Sequence, residues 1–76
     1  MNELNKPSKS LWRNIVREAT RYATDNPKKS YDHTYREVMR LAQQNAEQTG
    51  QPVRVAAFFQ GKWYLIDVAY PKEYAK

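Results

Sequence analysis

Apolar positions recur at helical spacing along the first two thirds of the chain, and the earlier set predicts a helix over residues 11–24. At 100° per residue, one arc collects Leu11, Trp12, Ile15, Val16, Ala19, Tyr22 and Ala23. Ser10 is the expected N-cap, because its hydroxyl can accept a backbone N–H of the first turn. Pro27 is expected to stop this helix.

A second apolar face predicts a helix over residues 31–49. Its members are Tyr31, Tyr35, Val38, Met39, Ala42 and Ala46. Ser30 is the expected N-cap, and if the helix starts later, Thr34 and Glu37 form a capping box. Gly50 suits the position after the helix, because it adopts the left-handed conformation without a Cβ penalty.

Two segments rich in β-branched and aromatic residues follow, over residues 53–59 and 62–70. Gln60-Gly61 separates them and predicts a two-residue β-turn. The register that follows from this turn pairs Phe59 with Lys62, Phe58 with Trp63, Val55 with Ile66, Arg54 with Asp67 and Val53 with Val68. A three-residue loop is the alternative, and it would pair Asp67 with Val53.

Alternation along the strands gives this hairpin two faces. The face expected to pack on the helices carries Val53, Val55, Ala57, Phe59, Tyr64, Ile66 and Val68. The other face carries Arg54, Ala56, Phe58, Trp63, Leu65 and Asp67. This second face is too apolar for a plain solvent face, and a single hairpin leaves two open edges.

Together these elements predict one small α+β domain of the ααββ type, two helices followed by a β-hairpin, over residues 10–70. Residues 1–9 are polar and aperiodic and are expected to form a flexible N-terminal tail, and residues 71–76 are expected to form a C-terminal tail. A chain of 76 residues makes one domain. Such a domain buries only ~60% of the surface of its unfolded chain.

The charge balance favours anionic partners. Thirteen Lys and Arg against eight Asp and Glu give a net charge of +5. The predicted contacts for nucleic acid or an acidic protein are the cations of the first helix and the following loop, Lys9, Arg13, Arg17, Arg21, Lys28 and Lys29. The alternatives are a solvated helix face with Glu18 as a local partner and, for the two loop lysines, a favourable interaction with the helix dipole.

The second face of the hairpin supplies the predicted protein-interaction site. Its residues are Arg54, Phe58, Trp63 and Leu65, and Trp and Arg are favoured anchors of protein interfaces. The same aromatic rings could instead stack on bases. A third possibility is that a chain tail covers them.

Candidate chemistry is sparse. The sequence has no cysteine, which excludes disulfides and thiolate metal sites, and the single histidine, His33, is expected at the surface without a role. The acidic side chains of the second helix region are expected to pair at the surface with Arg36 and Arg40. No catalytic residue, metal site, cofactor or small-molecule substrate is therefore predicted.

These observations favour a non-enzymatic, small basic binding module in the cytoplasm. The sequence shows no secretory signal and no apolar stretch long enough to span a membrane. We expect a regulatory, adaptor or inhibitor-type accessory protein, of the kind common in phages and plasmids. It would act by protein–protein interaction or self-association through the outer face of the hairpin. The alternative is a nucleic-acid-binding regulator that uses the arginine stripe of the first helix.

Overall fold

The computed structural model describes residues 4–25, 28–32 and 34–74, with the backbone alone for residues 28–32. The elements are α1 (Lys9–Glu18), β1 (Arg21–Asp25), β2 (Lys28–Asp32), α2 (Tyr35–Thr49), β3 (Val53–Phe59) and β4 (Lys62–Ala69). The strands form one antiparallel sheet in the order β2-β1-β3-β4. The α+β class is confirmed, whereas the ααββ order is wrong, because strands lie between the two helices.

The first helix is shorter than predicted, and its last predicted turns form strand β1. Ser8 rather than Ser10 is the N-cap, and its hydroxyl accepts from the N–H of Leu11 at 3.2 Å. After Glu18 the backbone becomes extended. Tyr22 is buried in both readings, because a helical period from Ile15 and the two-residue period of β1 place it on the core side.

The second helix begins at Tyr35, four residues later than the first prediction, and the alternative start is confirmed. The Thr34 hydroxyl accepts from the N–H of Glu37, and the Glu37 carboxylate accepts from the N–H of Thr34. Ser30, the other predicted cap, belongs to strand β2. Gly50 follows the helix with φ of +73°, as predicted.

The predicted hairpin forms, and its turn is confirmed. Strand β3 has the predicted bounds, and Gln60 and Gly61 have φ of +50° and +82°, the signs required by a two-residue type I′ turn. Phe59 pairs with Lys62 and Phe58 with Trp63, as predicted.

Beyond Ala56 the predicted register is wrong, because a β-bulge inserts Ile66 into strand β4. The structure pairs Ala56 with Leu65, then Val55 with Asp67, Arg54 with Val68 and Val53 with Ala69. One extra residue reverses which side chains of β4 face the core. Asp67 and Ala69 therefore lie on the helix side of the sheet, and Val68, predicted in the core, lies on the opposite side.

Both helices pack on one face of the sheet. The core cluster joins both helices to β1, β3 and β4 and consists of Ile15, Ala19, Tyr22, Val38, Ala42, Ala46, Val53, Val55, Ala57, Ile66 and Ala69. Trp12 packs against this cluster, and its indole lies edge-on to the ring of Tyr35 at a centroid distance of 5.7 Å. The opposite face of the sheet contributes nothing to the cluster.

The exposed edge of strand β4 is covered at its centre. Asn5 forms a parallel bridge with Tyr64, and its carbonyl accepts from the N–H of Leu65 at 2.9 Å. The indole N–H of Trp12 donates to the carbonyl of Ile66 at 2.9 Å. These groups occupy positions that an added strand would need.

Candidate interaction surfaces

The face of the sheet turned away from the helices, named here the outer sheet face, is the first candidate surface. The register places on it Arg21, Ala23 and Asp25 of β1, Arg54, Ala56 and Phe58 of β3, and Trp63, Leu65 and Val68 of β4. Ala56 lies between Ala23 and Leu65 and is fully buried. The accessible part of this face is therefore formed by the larger side chains around its centre.

Three of these side chains form a cluster at the end of the sheet near the Gln60-Gly61 turn. Phe58 and Trp63 are cross-strand partners, and their ring centroids lie 5.3 Å apart with the planes tilted by 57°. Arg21 of β1 is the cross-strand partner of Phe58 on the side away from β4. Its guanidinium carbon lies 5.9 Å from the centroid of the Phe58 ring. Both rings remain partly exposed, and Arg21 is exposed. The cluster combines apolar area with one positive charge.

Arg54 has a different partner from the one predicted. Its guanidinium forms a salt bridge with Asp25 of β1, to which both Nε and one terminal nitrogen donate. Hydrogen bonding to Asp25 raises the pKa of Arg54 further above its usual value. The predicted Arg54–Asp67 pair is wrong, because the bulge turns Asp67 to the helix side. Arg54 thus lies on the outer sheet face, as predicted, with its charge compensated.

Asp67 instead takes part in a polar contact between α2 and β4. The phenol of Tyr35 donates to one carboxylate oxygen of Asp67, and the N–H of Val68 donates to the other at 2.8 Å. Burial, followed by the hydrogen bond to Asp67, raises the pKa of Tyr35. One carboxylate oxygen joins the bulge to α2 and the other accepts from the neighbouring backbone, which gives Asp67 a structural role.

The predicted cation stripe is divided between two surfaces. Lys9, Arg13 and Arg17 are exposed on α1, as predicted, on the helix side of the sheet. Arg21 is exposed but belongs to β1, so its predicted position on the first helix is wrong. The side chains of Lys28 and Lys29, together with His33, lie outside the part of the chain that the structure describes.

Two further cations, Arg36 and Arg40, are exposed one helical turn apart on α2. They were expected to pair with nearby carboxylates. Glu37 instead closes the capping box, and Glu47 accepts from the side chain of Gln43 and from the N–H of Lys72. Of the Lys and Arg side chains that the structure describes, only that of Arg54 forms an ion pair. The sequence shows the spacing of Arg36 and Arg40. It does not show that the carboxylates expected to pair with them accept hydrogen bonds from other groups.

Within the described residues, His, Asp and Glu form no group of three or more that could hold a metal ion. Neither described helix is long and apolar enough to cross a membrane. Comparison with known proteins gave no matching family model, no similar curated protein and no similar solved structure.

Proposed function

We propose that this chain is a non-enzymatic binding module, of the regulatory or adaptor kind, that binds a partner protein through the outer sheet face. The observation that carries the proposal is the cluster of Phe58, Trp63 and Arg21 on a sheet face that neither helix covers. Aromatic and arginine side chains are the usual anchors of protein interfaces. The absence of cysteine suits a reducing cytoplasm as the place of action.

The geometry of the rings favours a protein over single-stranded nucleic acid at this face. Phe58 and Trp63 pack against each other at a tilt, so they present one joint apolar surface and not two separate platforms for bases. The apolar surface continues along β4 through Leu65 and Val68. Arg54 brings no net charge, because Asp25 neutralises it. Within the described side chains, a largely apolar patch with one exposed cation, Arg21, at its end matches the centre and rim of a protein interface.

The charges favour a foreign partner over a second copy of this chain. In the sheet register Arg21 lies opposite Asp32 of β2, so the charge of Arg21 alone does not select the partner. A second copy would instead bring another net charge of +5 towards the face. Strand addition at the centre of the β4 edge is also opposed, because Asn5 and Trp12 already occupy it. The partner surface is therefore largely apolar.

The test compares capture of proteins by the immobilised chain and by three variants, using nuclease-treated lysate and quantitative mass spectrometry. Trp63→Ala removes the aromatic anchor and Arg21→Glu reverses the charge of the cluster. Tyr74→Ala is the control, because Tyr74 is an exposed aromatic residue on the C-terminal segment. A partner that uses the outer sheet face is retained by the control and lost at least about 30-fold by Trp63→Ala, as expected for an interface hot spot.

Stability measurements separate binding from folding. Trp63→Ala is expected to lower the melting temperature less than Trp12→Ala, because Trp12 packs on the core and donates to Ile66. A large fall in melting temperature for Trp63→Ala, with no change in captured protein or in sedimentation, would show that Trp63 only stabilises the sheet. That result would refute the proposed function.

A further inference from the structure

The outward side of the helix layer is a second surface, different in character from the outer sheet face. Both helices pack on the same face of the sheet, and Trp12 of α1 contacts Tyr35 of α2. The residue after each of these two rings is an exposed arginine, Arg13 on α1 and Arg36 on α2. Arg17 and Arg40 follow one helical turn later, so each helix presents two guanidinium groups to solvent.

These four side chains, named here the helix-layer arginines, have no carboxylate partner among the described residues. Arg17 donates to the side-chain oxygen of Asn14 at 2.8 Å, which orients its guanidinium along α1 without neutralising it. Glu37 of α2 accepts from the N–H of Thr34 and forms no ion pair with these arginines. The positive charge of this surface is therefore available to an external anion.

The side chains around the helix-layer arginines indicate which anion fits. A shallow depression on α1 is lined mainly by polar groups, those of Ser10, Arg13, Asn14 and Arg17. The exposed positions of α2 are also polar, and Gln44 and Gln48 are among them. A protein interface would need an apolar anchor, and a membrane-surface helix would need a row of aromatic or aliphatic side chains. Neither lies among these exposed positions, whereas nucleic-acid interfaces are polar and strongly positive.

We propose that the helix-layer arginines bind the phosphate backbone of a nucleic-acid duplex. Arginine forms bidentate hydrogen bonds with phosphate oxygens, and side chains at i and i+4 lie ~5–6 Å apart at their Cβ atoms, so that neighbouring guanidinium groups can reach neighbouring phosphates. A duplex is favoured over a single strand because it carries one charge per ~1.7 Å of axis, and because the exposed positions described on the two helices include no aromatic ring for base stacking. Binding here is independent of the protein partner proposed for the outer sheet face.

The experiment measures binding of the full chain to a fluorescein-labelled 20-base-pair DNA duplex by anisotropy, as a function of salt. Four phosphate contacts predict a slope of about −3.6 for the logarithm of the association constant against the logarithm of salt concentration. Binding should then weaken about 150-fold between 50 and 200 mM salt. The quadruple variant Arg13→Gln, Arg17→Gln, Arg36→Gln and Arg40→Gln should lose at least about 100-fold in affinity at 50 mM salt, with a slope near zero.

A matched control removes the same number of positive charges elsewhere. The variant Lys6→Gln, Arg21→Gln, Lys62→Gln and Lys72→Gln has the same net charge as the quadruple arginine variant, and all four positions are exposed. It should keep its affinity within about threefold and keep the steep salt dependence. If the quadruple arginine variant does not fold, two double variants replace it. One combines Arg13→Gln with Arg17→Gln, and the other combines Arg36→Gln with Arg40→Gln. Each has an expected slope of about −1.8.

Four outcomes overturn the proposal. Equal loss in both variants would show that only net charge matters, and greater loss in the control would place nucleic-acid binding outside the helix layer. A wild-type slope shallower than about −1 would show that no set of phosphates is contacted. Tighter binding to polyglutamate than to the duplex at the same charge concentration would identify an acidic protein as the ligand. None of these outcomes decides whether the outer sheet face binds a protein.

Discussion

Replacing Tyr35 by phenylalanine removes the hydrogen bond that joins α2 to the bulged part of β4. The phenol of Tyr35 donates to the carboxylate of Asp67, and the contact is partly buried. Hydrogen bonds to charged groups contribute about 1.5–3 kcal/mol. The low end applies here, because Asp67 keeps a second donor, the N–H of Val68. We therefore expect Tyr35→Phe to lower the free energy of unfolding by about 1.5 kcal/mol, or the melting temperature by roughly 6–12 °C.

A double-mutant cycle with Asp67→Asn tests whether the two side chains act through this contact. The asparagine amide offers one acceptor oxygen where the Asp67 carboxylate has two, so it could serve Tyr35 or Val68 but not both. Urea unfolding of the wild type, both single variants and the double variant should give a coupling free energy of about 1 kcal/mol. Tyr64→Phe is the control, because the Tyr64 phenol donates to none of the described residues. It should change stability by less than about 0.5 kcal/mol.

The same cycle tests the register of the hairpin. Asp67 can reach Tyr35 only because the bulge at Ile66 turns it to the helix side of the sheet. An unbulged register would place Asp67 on the outer sheet face beside Arg54, far from α2. A coupling below about 0.3 kcal/mol between Tyr35 and Asp67 would therefore refute the hydrogen bond and remove its support for the bulged register.

Three further expected outcomes rest on single contacts. Because burial raises the pKa of Tyr35 in the folded state, its contribution to stability is complete below the unfolded pKa of ~10 and is lost as pH rises above it. Between pH ~8 and ~11, urea unfolding should show the wild type losing about 1 kcal/mol more free energy of unfolding than Tyr35→Phe. This value is kept low because Tyr35 is partly exposed to solvent. Gln60→Asn should stabilise the hairpin by about 0.5 kcal/mol, because Gln60 has positive φ and Asn-Gly is preferred in this turn; a lower melting temperature would contradict this. Asp25→Asn should cost at most about 1 kcal/mol, because its partner Arg54 is 38% exposed, and a larger loss would mean that the pair is part of the core.

The parts of the fold that the sequence predicted correctly are specified by local chemistry. Gly50 ends α2, and the Gln60-Gly61 turn sets the first pairs of the hairpin, because both depend on backbone conformations that few residues adopt. The capping box at Thr34 was also visible, but a second candidate cap, Ser30, competed with it as the start of the helix.

The segment from Arg21 to Asp32 was misassigned because two periodicities overlap in it. Tyr22 continues the helical arc from Ile15 and Ala19, and it also starts the alternation of Tyr22 and Thr24 in β1. Asn26-Pro27 was interpreted as a helix stop, yet this dipeptide is equally a turn signal, and it separates strands that pair Asp25 with Lys28. This segment forms a strand because it pairs with β3. The pairing is not visible locally, because the partner lies far along the chain, with Arg21 opposite Phe58.

The bulge was beyond sequence reasoning for the same physical reason. Nothing in the local pattern of β4 marks Ile66 as an extra residue. Its carbonyl is fixed by the indole of Trp12, and the next side chain, Asp67, is fixed by Tyr35, which are contacts across 54 and 32 residues. A single inserted residue then reversed the faces of Asp67 and Val68. It also broke the predicted pairing of Arg54.

The corrected topology changes what the interaction proposals depend on. A hairpin with two open edges was one motive for expecting a partner, but β1 pairs with one edge of β3, and Asn5 and Trp12 cover the centre of the β4 edge. The same correction places Arg21 on β1 beside the aromatic rings. The arginines that remain on the helix layer are surrounded by polar side chains. The proposed protein binding therefore rests on the outer sheet face, and the proposed phosphate binding rests on the helix layer. Because the sheet separates the two surfaces, variants of one should leave binding to the other unchanged.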